Sequence, residues 1–124
     1  MEKATYAVRV APVKNRLYVT LVGFFTLEEM RSCGNETIEA TKKLRPGYDV
    51  ITDITQFKPG PPEIAKDIER VQAHFRKSGA RQGVRIVGAS VLSGMQFRRT
   101  GAQAEYNSVN VASIEDAEEL LSKL

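Results

Sequence analysis

This chain is poor in the residue types that usually carry chemistry. Cysteine occurs once, at Cys33, so no intramolecular disulfide can form, and a disulfide-stapled fold is excluded. A lone thiol fits a reducing compartment, and the expected location is cytoplasmic. Histidine also occurs once, at His74, with no cysteine or second histidine near it in sequence. A metal needs two or more such ligands, so neither a metal nor another cofactor is expected. Tryptophan is absent, and no aromatics are interleaved with the arginines, which argues against single-strand stacking and makes nucleic acid a disfavoured partner. Apolar runs fall far short of a membrane span, and no basic start leads into an apolar segment, so neither insertion nor secretion is expected. There is no internal repeat, linker or low-complexity tract.

What is present is ordinary globular material. The 124 residues are 42% hydrophobic and 27% charged, which suits one folded domain over residues 1–124 with room for a real core. The formal charge of +3 hides an asymmetry. Between Lys66 and Arg99 lie Lys66, Arg70, Arg76, Lys77, Arg81, Arg85, Arg98 and Arg99 against only Asp67 and Glu69, whereas five acids face one lysine from Thr100 onward. Either these cations form a surface for an anionic partner, or they are the solvated faces of helices.

The most informative stretch is Tyr48-Asp49-Val50-Ile51-Thr52-Asp53-Ile54-Thr55, broken at Pro59-Gly60-Pro61-Pro62 and followed by an amphipathic segment to Gly79. In that segment Ile64, Ile68, Val71 and Phe75 make one stripe of a 3.6-residue period. An apolar run from Val84 to Ser90 completes a βαβ unit. Upstream, Thr5–Pro12 and Arg16–Val22 alternate in polarity and predict a hairpin, turned at Lys14-Asn15. Thr26 with Glu29 predicts a capping box opening a helix to about Leu44, weakened by Gly34. A short helix over Leu92–Gly101, a strand over Ser108–Val111 and a terminal helix opened by Ser113 complete the order β-β-α-β-α-β-α-β-α. That is an α/β fold, a mixed five-stranded sheet with four helices.

Those two hairpin strands, the repeated strand and helix, the strand closing on Asp53-Ile54-Thr55 and the Ala117-Glu118-Glu119-Leu120-Leu121 helix together resemble the STAS domain of SpoIIAA-like anti-sigma-factor antagonists. The likeness spans nearly the whole chain and rests on pattern more than on identity. It implies a non-catalytic regulatory module that docks onto a protein partner. In the antagonist branch a serine within Asp-Ser-Ser-Gly is phosphorylated to release the partner. At that place this chain carries Phe57-Lys58-Pro59-Gly60-Pro61-Pro62, with no hydroxyl, so the switch does not carry over.

The candidate partner- or ligand-binding residues are Asp53, Thr55, Ser90, Ser93, Arg98 and Arg99. Asp53 sits at the carboxyl end of a strand, where α/β sheets present side chains to ligands, or else caps the next turn. Thr55 is a phosphoacceptor or a turn residue. Ser90 and Ser93 lie in a glycine-containing loop whose amides suit an anion, without the Lys-Ser/Thr ending of a phosphate loop. Arg98 and Arg99, beside Met95 and Phe97, make a mixed apolar and cationic surface of the kind found at interfaces. With one histidine and no matching motif, no enzyme is expected. The leading expectation is an interaction module for a protein with an acidic surface. The alternative is a binder of a small apolar or anionic ligand in a cleft near Met30, Phe24, Phe25 and Phe97.

Overall fold

The computed structural model describes residues 4–58, 60–87 and 108–124. Alternation in the first two segments produces the hairpin: β1 (Thr5–Ala11) and β2 (Arg16–Phe24) pair antiparallel, with Val8 opposite Val19. Asn15 closes the turn at φ 55°, a left-handed backbone that asparagine tolerates and most residues do not, and its N–H donates to Pro12 O at 3.1 Å. The capping box forms as the spacing implies. Glu29 N–H donates to Thr26 Oγ1 at 3.1 Å and Thr26 N–H to Glu29 Oε1 at 2.9 Å, opening α1 (Leu27–Thr41).

Helix α1 ends three residues before the expected Leu44, and its buried face differs from the apolar stripe of Leu27, Met30, Cys33, Ala40 and Leu44, with Ile38 beside it, that the sequence offers. The buried face runs through Met30, Cys33, Thr37 and Thr41, while Ala40 and Leu44 are only half-buried. Threonine is tolerated there because its hydroxyl folds back onto the helix: Thr37 Oγ1 donates to Cys33 O at 2.8 Å and Thr41 Oγ1 to Ile38 O at 2.6 Å. Gly34 also has a steric reason. A Cβ at Gly34 would stand 2.9 Å from Arg70 Nη2 and 3.0 Å from Val71 Cγ2, so glycine lets α2 approach closely.

β3 (Asp49–Lys58) runs three residues beyond the expected Thr55, and α2 (Ile64–Lys77) follows the Pro61-Pro62 turn, whose carbonyls accept from Ile64 and Ala65 N–H at 3.1 Å. Gly79, at φ +88°, ends α2. Ala80 N–H reaches Phe75 O at 2.9 Å and Gly79 N–H reaches Arg76 O at 3.3 Å, the paired bonds of a Schellman motif. β4 (Gln82–Ile86) starts two residues before the expected Val84, and the remainder of that expected strand past Val87 lies outside the described residues, as does the expected helix over Leu92–Gly101. β5 (Ser108–Val111) and α3 (Ile114–Ser122) close the fold.

The sheet is mixed, in the order β1-β2-β3-β4-β5, antiparallel only between β1 and β2. Three helices accompany it among the described residues. Because β2, β3 and β4 are laid down in one direction, right-handed crossovers place α1 and α2 on one face, where Leu17, Val50 and Ile54 cluster with Met30, Ile68 and Phe75. On the other face Ile51, Val84 and Ile86 meet Ala117 and Leu121 of α3. Of Ile114, Ala117, Leu120, Leu121 and Leu124, the apolar residues from which the sequence predicts a buried face for this helix, Ile114 and Leu124 instead lie exposed. The strand order never reverses from β2 to β5, so the switch-point crevice that opens ligand sites in doubly wound sheets does not arise there.

Candidate functional site

Towards the carboxyl ends of the strands, Asp53 is occupied with its own chain; it lies within β3, five residues before the end at Lys58, and not at the strand end where the sequence placed it. Its Oδ1 accepts from Thr55 N–H at 3.0 Å and from Thr55 Oγ1 at 2.8 Å. The local register explains why. Thr20 pairs with Asp53 but Val22 with Gln56, so one residue of β2 faces two of β3, and Asp53 stitches the resulting bulge. The structure thus brings Asp53 and Thr55 together as a pair within the β3 bulge, the Thr55 hydroxyl donating to the Asp53 carboxylate. Ser90, Ser93, Arg98 and Arg99 lie outside the described residues. Phe25 is buried against Phe57 with ring centroids 5.8 Å apart, and Phe24 turns 45% exposed to solvent. Phe24 and Phe25 therefore face different surroundings, and Phe97, the other aromatic of the expected cleft, lies outside the described residues.

The opposite end of the sheet is built differently. Helices that return between parallel strands bring their C-termini to the end where those strands begin, so the β1–β2 turn, the α1–β3 loop, the α2–β4 loop and the end of α3 meet there. They are bonded to one another. Asn15 Oδ1 accepts from Arg45 N–H at 2.9 Å, its Nδ2 donates to Arg45 O at 3.1 Å, and its carbonyl accepts from Asp49 N–H. Gly47 N–H donates to Gly79 O at 2.6 Å. Arg81 then grips the buried Asp49 with two bonds, Nε to Oδ1 at 3.0 Å and Nη2 to Oδ2 at 2.6 Å, while also reaching the Leu121 and Leu124 carbonyls. A bidentate guanidinium and carboxylate is the strong form of this pair.

This end is basic. Glu39 and Glu119 are taken by Lys42 and Lys123, and Glu118 by Arg16, Tyr18 and Lys14. Lys43, Arg45, Arg76 and Lys77 are exposed and form no ion pair among the described residues. Cations at helix C-termini complement the helix dipole, which accounts for Arg76 and Lys77 in the last turn of α2 but not for Lys43 and Arg45 beyond α1. Exposed acids collect at the other end, at Glu28, Glu63, Glu115 and Asp116 near the helix N-termini. The sequence window from Lys66 to Arg99 does not form one surface: Arg76, Lys77 and Arg81 join the basic end, Arg70 bonds Asp67 and Asn35 between the helices, and Arg85 is buried.

Arg85, 5% exposed, is the residue that charge counting misses. Its neighbours in β4, Val84 and Ile86, face α3, so strand alternation turns Arg85 towards α1 and α2. There it borders a cavity of about 50 Å³ whose apolar wall includes Leu21, Met30, Ile68 and Val71. Thr37, Thr52, Gln72 and Ser108 supply polar groups, and Arg85 Nε donates to Ser108 Oγ at 3.2 Å. A single charge at an inward position of a half-polar strand was the available signal.

Cys33 lines the same cavity, and burial pushes its thiol up to about 12, the wrong direction for a nucleophile. His74 Nε2 lies 2.8 Å from Thr41 Oγ1, and burial first, then Lys42 and Arg70, hold its pKa below the ordinary value. Among the described residues no three His, Cys, Asp or Glu side chains group as metal ligands, and no helix is long and apolar enough to cross a membrane. Compared with protein-family models and with curated proteins, the chain finds no match in either.

Proposed function

We propose that this protein is a non-catalytic, cytoplasmic interaction module of STAS-like design whose basic end docks an acidic protein surface. The observation that carries this reading is that three loops and the end of α3, bonded to one another, form one end of the fold at which Lys43 and Arg45, with Arg76 and Lys77 of the last turn of α2, stand exposed without ion pairs among the described residues. Loops fixed in this way present charge with little ordering cost on binding. A protein suits the surface better than nucleic acid. Glu39, Glu118 and Glu119 are interspersed among the cations and would repel a uniform polyanion, and Val13, 98% exposed at the hairpin tip, offers an apolar point beside Lys14. The resemblance to antagonist domains, which work by docking, agrees with this reading. So does the chemistry of Cys33 and His74, neither poised as nucleophile or base.

The test is binding of wild type, a Lys43→Glu/Arg45→Glu variant and an Arg76→Glu/Lys77→Glu variant to an immobilised poly-glutamate peptide, with duplex DNA and phosphatidylserine vesicles in parallel. Each double reversal should weaken peptide binding about tenfold or more, since each charge contributes on the order of 1 kcal/mol in water. Equal retention of all three proteins, or stronger retention on DNA or vesicles than on the peptide, would overturn the reading.

A further inference from the structure

We propose that the outer edge of β1 is a self-association site: it pairs antiparallel with β1 of a second copy of this chain, about a two-fold axis at Val8, and joins the two sheets. The first support is that the sheet has two edges and they are built differently. β5, at one edge, has only four residues, and shortness is one of the ways in which proteins keep an edge from recruiting another strand. β1, at the other, has seven, paired without a break to β2 from Thr5 opposite Val22 to Ala11 opposite Arg16, and no strand among the described residues pairs with its outer side. It holds no proline, no lysine and no bulge, the other devices that blunt an edge. Its one charge, Arg9, is drawn inward, with its guanidinium carbon 4.0 Å from the centroid of the Tyr18 ring on β2.

The second support is that β1 complements itself. Residues opposite each other in an antiparallel ladder share a face, so a strand that meets its own copy about an axis normal to the sheet is centred on a residue. Centring on Val8 is the register that engages the whole strand, with Thr5 opposite Ala11, Tyr6 opposite Val10 and Ala7 opposite Arg9. Pro12, which has no N–H to give, ends it. Tyr6, Val8 and Val10 already pack, half-buried, against the core cluster. Opposite Val10, Val8 and Tyr6 of the second copy they continue that apolar layer, and an aromatic beside a β-branched residue is a favourable cross-strand pair. Charge agrees. With Val8 at the centre each Arg9 faces the small, exposed Ala7, whereas centring on Arg9 would set two guanidinium groups against each other. Another protein's strand needs no such symmetry, so a second copy is the occupant that β1 fits. Because the paired strands run in opposite directions, the turns at Lys14-Asn15, and the basic ends with them, lie at opposite ends of the joined sheet.

The experiment is sedimentation velocity of the full chain from micromolar to millimolar concentration, with ¹⁵N amide spectra over the same range. Wild type should pass from one chain to two, with amide shifts concentrated in Thr5–Ala11. Ala7→Lys, at an exposed position, should weaken the dimer about fivefold by opposing like charges twice, and Ala7→Glu should tighten it about fivefold by giving each Arg9 of the other copy a carboxylate. Arg76→Glu/Lys77→Glu should leave the dimer dissociation constant unchanged, which separates self-association from docking at the basic end. A single chain at every concentration, shifts confined to other elements, or equal dissociation constants for wild type, Ala7→Lys and Ala7→Glu would overturn the proposal. So would an unrelated peptide of alternating Thr and Val that shifts the Thr5–Ala11 amides while the chain stays single, because the edge would then belong to another protein's strand. Should Ala7→Lys fail to fold, the wild-type spectra and Ala7→Glu decide on their own.

Discussion

At the scale of the residue, the polar side chains of this protein serve the fold before they serve chemistry, and His74 is the clearest case. It stands next to Phe75 of the α2 stripe in sequence, and in the structure it is a tie from α2 to Thr41 of α1. The folded state holds the neutral form, through burial chiefly and through Lys42 and Arg70. As pH falls below the ordinary value of 6.5, the unfolded chain takes up the proton first, so the native state loses stability. The sign is therefore fixed: the contribution of His74 is complete above pH 6.5 and is lost as pH falls through the lower folded-state value. Urea unfolding across this range should show wild type losing stability on acidification more steeply than His74→Gln. Parallel profiles would mean that the proton acts elsewhere.

At the scale of the element, Gly34 illustrates how a local cost is offset by a contact distant in sequence. Glycine inside a helix gives up about 1 kcal/mol relative to alanine. The close approach of α1 to α2 leaves a would-be Cβ only 2.9 Å from the tip of Arg70 and 3.0 Å from Val71. Gly34→Ala should fall within about 1 kcal/mol of wild type, its gain in helix propensity consumed by displacing Arg70 from Asn35. Gly34→Leu should cost about 2–3 kcal/mol in urea unfolding, because the side chain must force the helices apart. A neutral Gly34→Leu would show that the interface is loose. Elements whose signals are local were readable in advance: the α1 capping box, the turn at Asn15, the Gly79 stop and the even period of β1 and β2 are each written within a few residues. The buried threonines of α1 and the contact at Gly34 were not, because they depend on which helix lies alongside. Asp53 was placed at a strand end, but β3 continues to Lys58, and the bond from Thr55 to Asp53 follows from a bulge set by pairing with β2. Only the register reveals that this carboxylate is already engaged.

At the scale of the whole molecule, charge is organised by chain direction rather than by sequence neighbourhood. Parallel strands with returning helices collect the C-termini of the described helices at one end, so Lys43 and Arg45 of the α1–β3 loop meet Arg76 and Lys77 of the last turn of α2, although β3 and most of α2 separate them in sequence. Counting charges in a linear window therefore grouped Arg85 with residues at a different end of the fold. The centre of this end is Arg81, which joins β3, β4 and α3 through Asp49, Leu121 and Leu124. Asp49 is 2% exposed, so removing its partner strands a carboxylate away from water. Because Arg81 is itself partly exposed, breaking this pair from one side costs about 2–3 kcal/mol, below the range for a fully buried pair and still a large share of the stability of a domain this size. Arg81→Met should lower stability by about that much, with hydrogen exchange accelerated first at Tyr48, Asp49 and the last turn of α3. Arg81→Met with Asp49→Leu should recover most of the loss, since an apolar pair leaves no buried charge behind. A single variant as stable as wild type would mean that Asp49 finds water or another cation, and that the loops of the basic end are held by their backbone bonds alone.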